Sequence, residues 1–167
     1  GIFLTHGHED HIGSLPYLLK RVKFPIYGTA LTLGLVSGKL REHGLANRVE
    51  MHETKPGEEV KLGCFDVEFI HINHSISDAV GFAIHTPAGT LVHTGDFKID
   101  CTPEKGDMID LGRFALLGRR GVLAMFADST NAERPGYTQT EQTVKASFEN
   151  LFLRAKNNRI IIATFAS

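Results

Sequence analysis

The chain has 167 residues, of which 42% are hydrophobic and 22% charged, the composition of an ordinary globular domain large enough to bury a core. Its formal net charge of −1 does not require a nucleic-acid partner, so an anionic substrate would need cations placed locally. No apolar run approaches the roughly 20 residues of a transmembrane helix, and we expect no membrane partner.

The first half of the chain predicts strands and helices in alternation. Ile2–Leu4 is a short apolar run typical of a buried strand, and residues 13–22 carry apolar side chains at helical spacing. Residues 25–27 predict a second short strand. Thr29 predicts the start of a helix that continues to about Glu42.

The second half predicts mostly strands. Residues 48–99 contain five short segments rich in Val, Ile and Phe, and the turn sequence TPAGT between the last two predicts a β-hairpin. Residues 110–118 predict a helix, and GVLAMFAD predicts a buried strand. Thr138 or Thr140 is expected to cap a helix over about 141–156, and RIIIATF predicts a last strand.

This order of elements predicts an α/β fold in which sheets are covered by helices. Both ends of the chain lie within predicted strands, so we expect it to be a piece of a longer protein. Cys64 and Cys101 are far apart and form no C-x-x-C pair, which argues against disulfides and against a cysteine-based zinc site. We expect both to be buried, reduced thiols of a cytoplasmic protein.

The sequence THGHEDHIG concentrates metal-binding side chains. Imidazole and carboxylate groups are both good ligands of zinc and of other divalent transition metals. His6 and His8 are two residues apart on an extended segment and can point to the same side. Asp10 and His11 follow where the chain turns toward a helix. One ion cannot easily bind all four from so short a loop, so we expect two adjacent ions with one pair on each.

Further ligands must come from elsewhere, and strand ends on one rim of a sheet are where such side chains collect. His74 lies at the end of an apolar strand in INHSISD, and Asp96 follows the predicted hairpin in HTGDFKID. His71 and Asp100 are rivals for these two roles, and we favour His74 and Asp96. The remaining histidines are interpreted as surface or structural residues: His43, His52, His85 and His93.

These motifs together resemble those of a known family. THGHEDHIG, the later HS and TGDFKID resemble the metallo-β-lactamase superfamily of binuclear zinc hydrolases, and ADSTNAERPG and IIIATFAS resemble its β-CASP nucleases of the bacterial ribonuclease J type. The resemblance implies an αββα sandwich. Residues 1–140 would form a metallo-β-lactamase-like domain truncated at its N-terminus, and residues 141–167 would begin an inserted β-CASP domain.

The resemblance also implies roles for individual residues. Asp10 would orient the attacking hydroxide or accept its proton, and Asp128, in DST, would support the site without contacting the ions. The cofactors would be two Zn²⁺ ions, with Mn²⁺ or Mg²⁺ as alternatives. The implied ligands are His6, His8 and His74 for the first ion, Asp10 and His11 for the second, and Asp96 for both.

The implied activity is hydrolysis of RNA phosphodiester bonds by a hydroxide that bridges the two ions, as an endo- or exoribonuclease in cytoplasmic RNA processing and decay. The full-length protein would act as a homo-oligomer or in a ribonuclease complex. The later histidine motifs of the family are absent, so we expect this chain alone to be nearly inactive. The alternatives are another binuclear-zinc hydrolase, acting on a thioester, lactone or β-lactam, and a non-catalytic zinc-binding paralogue.

Overall fold

A three-stranded parallel sheet carries the N-terminal motif in the computed structural model, which describes residues 1–164. Its strands, in spatial order, are β1 (Ile2–Phe3), β2 (Ile26–Gly28) and β3 (Met51–Glu53). Parallel strands need crossover connections, and helices supply them here. These helices are α1 (Glu9–Ile12), α2 (Leu15–Leu19) and α3 (Ala30–Glu42).

A five-stranded sheet follows. Its strands, again in spatial order, are β4 (Glu59–Leu62), β5 (Phe65–His71), β6 (Val80–Thr86), β7 (Gly89–His93) and β8 (Ala124–Phe126). The first four pair antiparallel, and the predicted hairpin is confirmed by the pairing of Thr86 with Gly89. β8 joins β7 in parallel after α4 (Leu111–Arg120), and α5 (Glu141–Arg154) follows. β5, β7 and β8 therefore run in one direction and end at the same rim.

The buried clusters define four layers. Helices α1–α3 pack their apolar side chains on one face of the first sheet, around Ile26. Phe3 and Tyr27 on its other face pack against the β5 residues Val67 and Phe69, so the two sheets lie face to face. Ile70, on the opposite side of β5, packs against α4. The αββα arrangement is thus confirmed, because the alternation along β5 gives the second sheet two apolar faces.

The two sheets are also connected by hydrogen bonds at the rim where β5 and β7 end. The backbone N–H of Val80 donates to the carbonyl of Thr5 at 2.8 Å. The Thr29 hydroxyl donates to the carbonyl of Asp78 at 2.9 Å, and the Asp78 carboxylate accepts from the backbone N–H of Leu31 at 3.4 Å. A residue of the loop between β5 and β6 therefore contacts the first turn of α3.

Some predictions at the C-terminal end were wrong. GVLAMFAD forms a strand, but its residues are exposed, with Met125 64% accessible. β8 is an edge strand, and no other strand among residues 1–164 pairs with its free side. Residues 159–164 form no strand, and Phe165, the last residue of that prediction, lies outside the described residues.

Other predictions near this end were correct or need a small change. Thr140 caps α5, accepting from the backbone N–H of Gln142, and no α5 side chain is buried. Cys64 and Cys101 are exposed, contrary to prediction, because each lies in a turn or bend of the backbone. None of the helices in the described part of the chain has the length and apolarity to cross a membrane.

Candidate metal centre

His6 is the innermost residue of the candidate centre. β1 leads the chain directly into the core, and the His6 side chain has no solvent exposure. Its Nδ1 lies 3.0 Å from the Thr5 hydroxyl, whereas its Nε2 is buried without a hydrogen-bond partner among residues 1–164. A buried polar atom left unpaired costs free energy. Coordination of a metal ion by Nε2 would remove that cost, so the site fits a metal.

Three imidazoles form a first group around this atom. The ring centroids of His6, His8 and His74 are each 4.8 Å from the other two. The Nε2 of His74 lies 3.1 Å from the Nδ1 of His8. Each of the three rings offers one nitrogen that lies within 4.8 Å of the nitrogens offered by the other two. Ligand nitrogens of a tetrahedral zinc ion lie roughly 3.3 Å apart, so small side-chain adjustments would suffice to hold one ion.

A second group combines His6 with His11 and Asp96, whose ligand atoms also lie within 4.8 Å of one another. The Oδ2 atom of Asp96 lies 3.3 Å from the Nε2 of His11 and 3.9 Å from the Nε2 of His6. The same oxygen lies 3.9 Å from the Nε2 of His74, which belongs to the first group. Asp96 therefore stands between the groups, where a carboxylate could contact two ions.

The backbone before Asp96 is tightly packed. Gly95 has φ +62°, and a Cβ added there would lie 2.8 Å from the carbonyl oxygen of Val80. The N–H of Gly95 donates to the Nδ1 of His93 at 3.0 Å, so His93 supports this turn. The left-handed conformation and the close approach both require glycine.

Asp10 is the one predicted ligand that belongs to neither group. Its side chain is 78% exposed, and its Oδ2 lies 3.6 Å from the Nε2 of His11. Residues 9–12 form the short helix α1, in which successive side chains point about 100° apart. Asp10 nonetheless lies beside His11, on its solvent-exposed side, whereas the second group itself consists of His6, His11 and Asp96.

Two imidazoles of the centre, those of His6 and His74, have lowered pKa values. Burial, followed by the nearby His11, His74 and His8, lowers the pKa of His6 to about 3. Burial, followed by His8, also lowers the pKa of His74. Neutral imidazole is the form that binds metals, so at neutral pH these side chains need not lose a proton first.

Asp128 lies behind the centre, and its backbone N–H donates to the Thr94 hydroxyl at 3.1 Å. Burial raises the pKa of Asp128, but hydrogen bonds from Thr130 and from the backbone N–H of Phe97 outweigh it and hold the pKa below its ordinary value. Asp128 is therefore an anion beside His74. The motif spacing does not predict that Thr5 and Thr94 support the site. Only their positions next to the ligand-bearing loops could have indicated this role.

The rival residues have other partners. His71 Nε2 lies 2.9 Å from the carbonyl oxygen of Asp107. Asp100 is buried and accepts from the backbone N–H groups of Glu141 and Thr102, each at 2.9 Å, so it anchors the start of α5. Neither contributes to the two groups.

The remaining histidines lie away from the centre. His85 contacts the Thr90 hydroxyl at 3.0 Å, and His52 stacks on Tyr27. His43, at the end of α3, is partly exposed. A cavity of about 380 Å³ is lined by His74 and opens between residues 75–78 and 103–107. This cavity gives the centre a space in which part of a substrate could lie.

Comparison with known proteins places this fold and site in a family. Residues 1–146 match the sequence model of the beta-lactamase superfamily domain, and the chain therefore belongs to the metallo-β-lactamase superfamily. Within it, the chain is similar to ribonuclease J of Helicobacter pylori, with 47% identity over 168 residues that cover 100% of this chain and 24% of that protein.

Two further relatives have the same name. Ribonuclease J of Thermus thermophilus is 47% identical over 171 residues, covering 98% of this chain and 30% of that protein. Ribonuclease J2 of Bacillus subtilis is 43% identical over 166 residues, covering 99% of this chain and 30% of that protein. The chain thus spans between 24% and 30% of the length of these curated relatives.

Solved structures share the fold at low sequence identity. A protein of unknown function from Enterococcus faecalis superposes with a TM-score of 0.68 and 19% identity, covering 95% of this chain and 40% of that chain. Zn²⁺-bound PqqB from Methylobacterium extorquens gives a TM-score of 0.53 and 18% identity, covering 85% of this chain and 48% of that chain.

Proposed function

We propose that this chain carries the metal centre of a ribonuclease J-like enzyme that hydrolyses RNA phosphodiester bonds in cytoplasmic RNA processing and decay. The observation that carries the proposal is the convergence of four histidines and Asp96 around the unpaired Nε2 of His6. Similarity to relatives named ribonuclease J supports RNA as the substrate.

The donor set supports two divalent cations. His6, His8 and His74 would hold the first, and His11 with Asp96 would hold the second, with Asp96 contacting both. Imidazole donors suit zinc better than magnesium, which prefers oxygen ligands, so Zn²⁺ is the favoured ion and Mn²⁺ an alternative. Asp10, whose Oδ2 already lies 3.6 Å from the Nε2 of His11, would be a further ligand of the second ion.

Bound cations would lower the pKa of water from about 15.7 to about 7 and offset negative charge on the phosphoryl oxygens. The protein residues around them would perform the remaining tasks. Asp10, at the solvent-facing rim, can accept a proton and release it to water. The ionised carboxylate of Asp128 would favour cations in the centre.

We also propose that residues 1–140 form the metallo-β-lactamase-like domain and that residues 141–167 begin an inserted β-CASP domain. Two observations support this boundary. The family match ends at residue 146, within α5, and no side chain of α5 is buried. Helix α5 is attached through its first residues, where the carboxylate of Glu141 pairs with Lys98.

Substitution of the ligands in the full-length protein tests the proposed function. We expect His74→Ala and Asp96→Ala each to reduce cleavage of single-stranded RNA to background and to lower the bound zinc measured by metal analysis. His43→Ala is the matched control, because His43 lies outside both groups and should leave both quantities unchanged. Undiminished RNA cleavage by either ligand variant would refute the assignment, and hydrolysis of thioesters but not RNA would favour a different hydrolase.

A further inference from the structure

The ligands His74 and Asp96 are on two irregular loops that meet at Asn73. Residues 72–79 connect β5 to β6, and residues 94–110 connect β7 to α4. Ligands on loops hold a metal well only when the loops themselves are fixed, to within roughly 0.5 Å in working sites. What fixes these two loops relative to each other therefore determines the geometry of the centre.

We propose that Asn73 is a positioning residue for the metal centre, fixing the distance between His74 and Asp96 through hydrogen bonds to both ends of the second loop. This inference rests on the proposed metal-binding function. Asn73 does not contact the ligand atoms, and its effect on them is indirect.

The backbone of Asn73 fixes the near end of the second loop. The N–H of Lys98 donates to the carbonyl of Asn73 at 2.8 Å, forming an isolated antiparallel bridge. Asn73 directly precedes His74, and Lys98 follows Asp96 by two residues. The bridge therefore joins the two loops at points close to both ligands. The Nε2 of His74 and the Oδ2 of Asp96 are 3.9 Å apart.

The side chain of Asn73 fixes the far end of the same loop. This residue is only 9% exposed; its Nδ2 donates to the carbonyl of Asp107 at 2.9 Å, and its Oδ1 accepts from the N–H of Ile109 at 2.8 Å. Ile109 in turn packs against Ile72 in a small buried cluster. Residues 98–109 are thus closed into a ring by hydrogen bonds to one residue.

The chemistry of this position favours an amide. One short side chain must offer a donor and an acceptor in opposite directions, which asparagine does. Aspartate would keep the acceptor for Ile109 but would place a carboxylate oxygen against the carbonyl of Asp107. Alanine would leave the N–H of Ile109 without its partner and the carbonyl of Asp107 with His71 alone.

Metal affinity in the full-length protein separates positioning from simple stabilisation. We would measure zinc affinity by competition with a chromophoric chelator, the visible absorption spectrum of the Co²⁺ form, and the thermal midpoint of the metal-free form. We expect Asn73→Asp and Asn73→Ala to weaken zinc binding about tenfold or more and to change the Co²⁺ spectrum. Val67→Ala, in the core between the sheets, is the control that lowers the midpoint alone.

The possible outcomes are distinguishable. Zinc affinity and Co²⁺ spectra equal to those of the unaltered protein would overturn the inference and leave Asn73 a structural residue. Absence of zinc binding in the unaltered protein would instead refute the proposed function. If Asn73→Ala does not fold, the test relies on Asn73→Asp, which preserves the side-chain volume and the acceptor.

Discussion

Gly95 shows how one residue without a side chain can position a ligand. It has φ +62° and lies against the carbonyl oxygen of Val80, directly before Asp96. The backbone can pass this close to β6 only because no Cβ is present. Asp96 reaches the histidines because the chain turns at this point.

Gly95→Ala should lower stability and metal content together. Alanine in the left-handed region costs about 1–2 kcal/mol, and the overlap with Val80 should add about 1–3 kcal/mol. Gly63→Ala is the matched control, since Gly63 has φ +65° but no neighbour within 4 Å of an added Cβ. Urea unfolding and metal analysis measure the two effects. Equal losses of stability in the two variants would show that the close contact is unimportant.

The histidine spacing indicated which histidines lie together, whereas the solvent exposure of Asp10 could not be predicted from it. His6, His8 and His11 converge as their pattern indicates, because a strand and a tight loop place them on one side. Asp10 points to solvent because α1 begins at Glu9. Where a short helix begins depends on packing that a ligand motif does not encode.

At the scale of elements, α5 depends on Asp100. The Asp100 carboxylate accepts from the N–H of Glu141 at the first turn of the helix, and the Thr140 hydroxyl contacts that of Thr102 at 2.9 Å. The hydrogen bond from the N–H of Glu141 has the largest effect and lowers the pKa of Asp100. Burial raises this pKa, and the N–H of Thr102 lowers it again, so that it stays below its ordinary value of 3.8. An acidic group with a lowered pKa stabilises the folded state above its unfolded pKa.

The contribution of Asp100 should therefore disappear in acid. It is fully present above pH 3.8 and is lost as the pH falls through the lower, folded-state pKa. We expect Asp100→Asn to be less stable than the unaltered protein near neutral pH, with the difference shrinking as the pH falls below 3.8. Free energies of unfolding from urea titrations across this range measure it. A difference independent of pH would contradict the electrostatic explanation.

The order of helices and strands was predictable because hydrophobic periodicity depends on residues close together in the sequence. The exposure of β8 was not predictable in this way. An apolar run of eight residues is typical of a central strand. Whether the strand is covered depends on what pairs with its free edge, which is a property of distant segments. Its large side chains, including Met125 and Phe126, are consequently exposed.

The whole molecule carries extensive uncovered apolar surface. Exposed side chains on β8 and α5 include Met125, Phe126, Phe148, Leu151 and Leu153. Exposed apolar side chains promote association of proteins, and open strand edges do so especially. The fold is accordingly well packed around the metal centre and poorly covered at its C-terminal side.

This surface should make the isolated chain associate. We expect residues 1–167 expressed alone to elute as oligomers in size-exclusion chromatography with light scattering, and Met125→Lys to shift them toward the monomer because edge lysines oppose strand pairing. Lys61→Ala is the control: Lys61 lies on β4, at the opposite end of the sheet from β8, and its substitution should not shift the chain toward the monomer. A monomeric unaltered chain would refute this prediction.

The donors of the centre come from both sheets: His6, His8 and His11 follow β1, whereas His74 and Asp96 follow β5 and β7. An ion bound there would span the seam between the two layers. The ion would bind only when the two sheets are packed together. Its binding would therefore raise the free energy of unfolding in proportion to the logarithm of the ion's concentration. The seam would then be strongest at the rim that carries the ligands, and the supply of metal would regulate the durability of the fold.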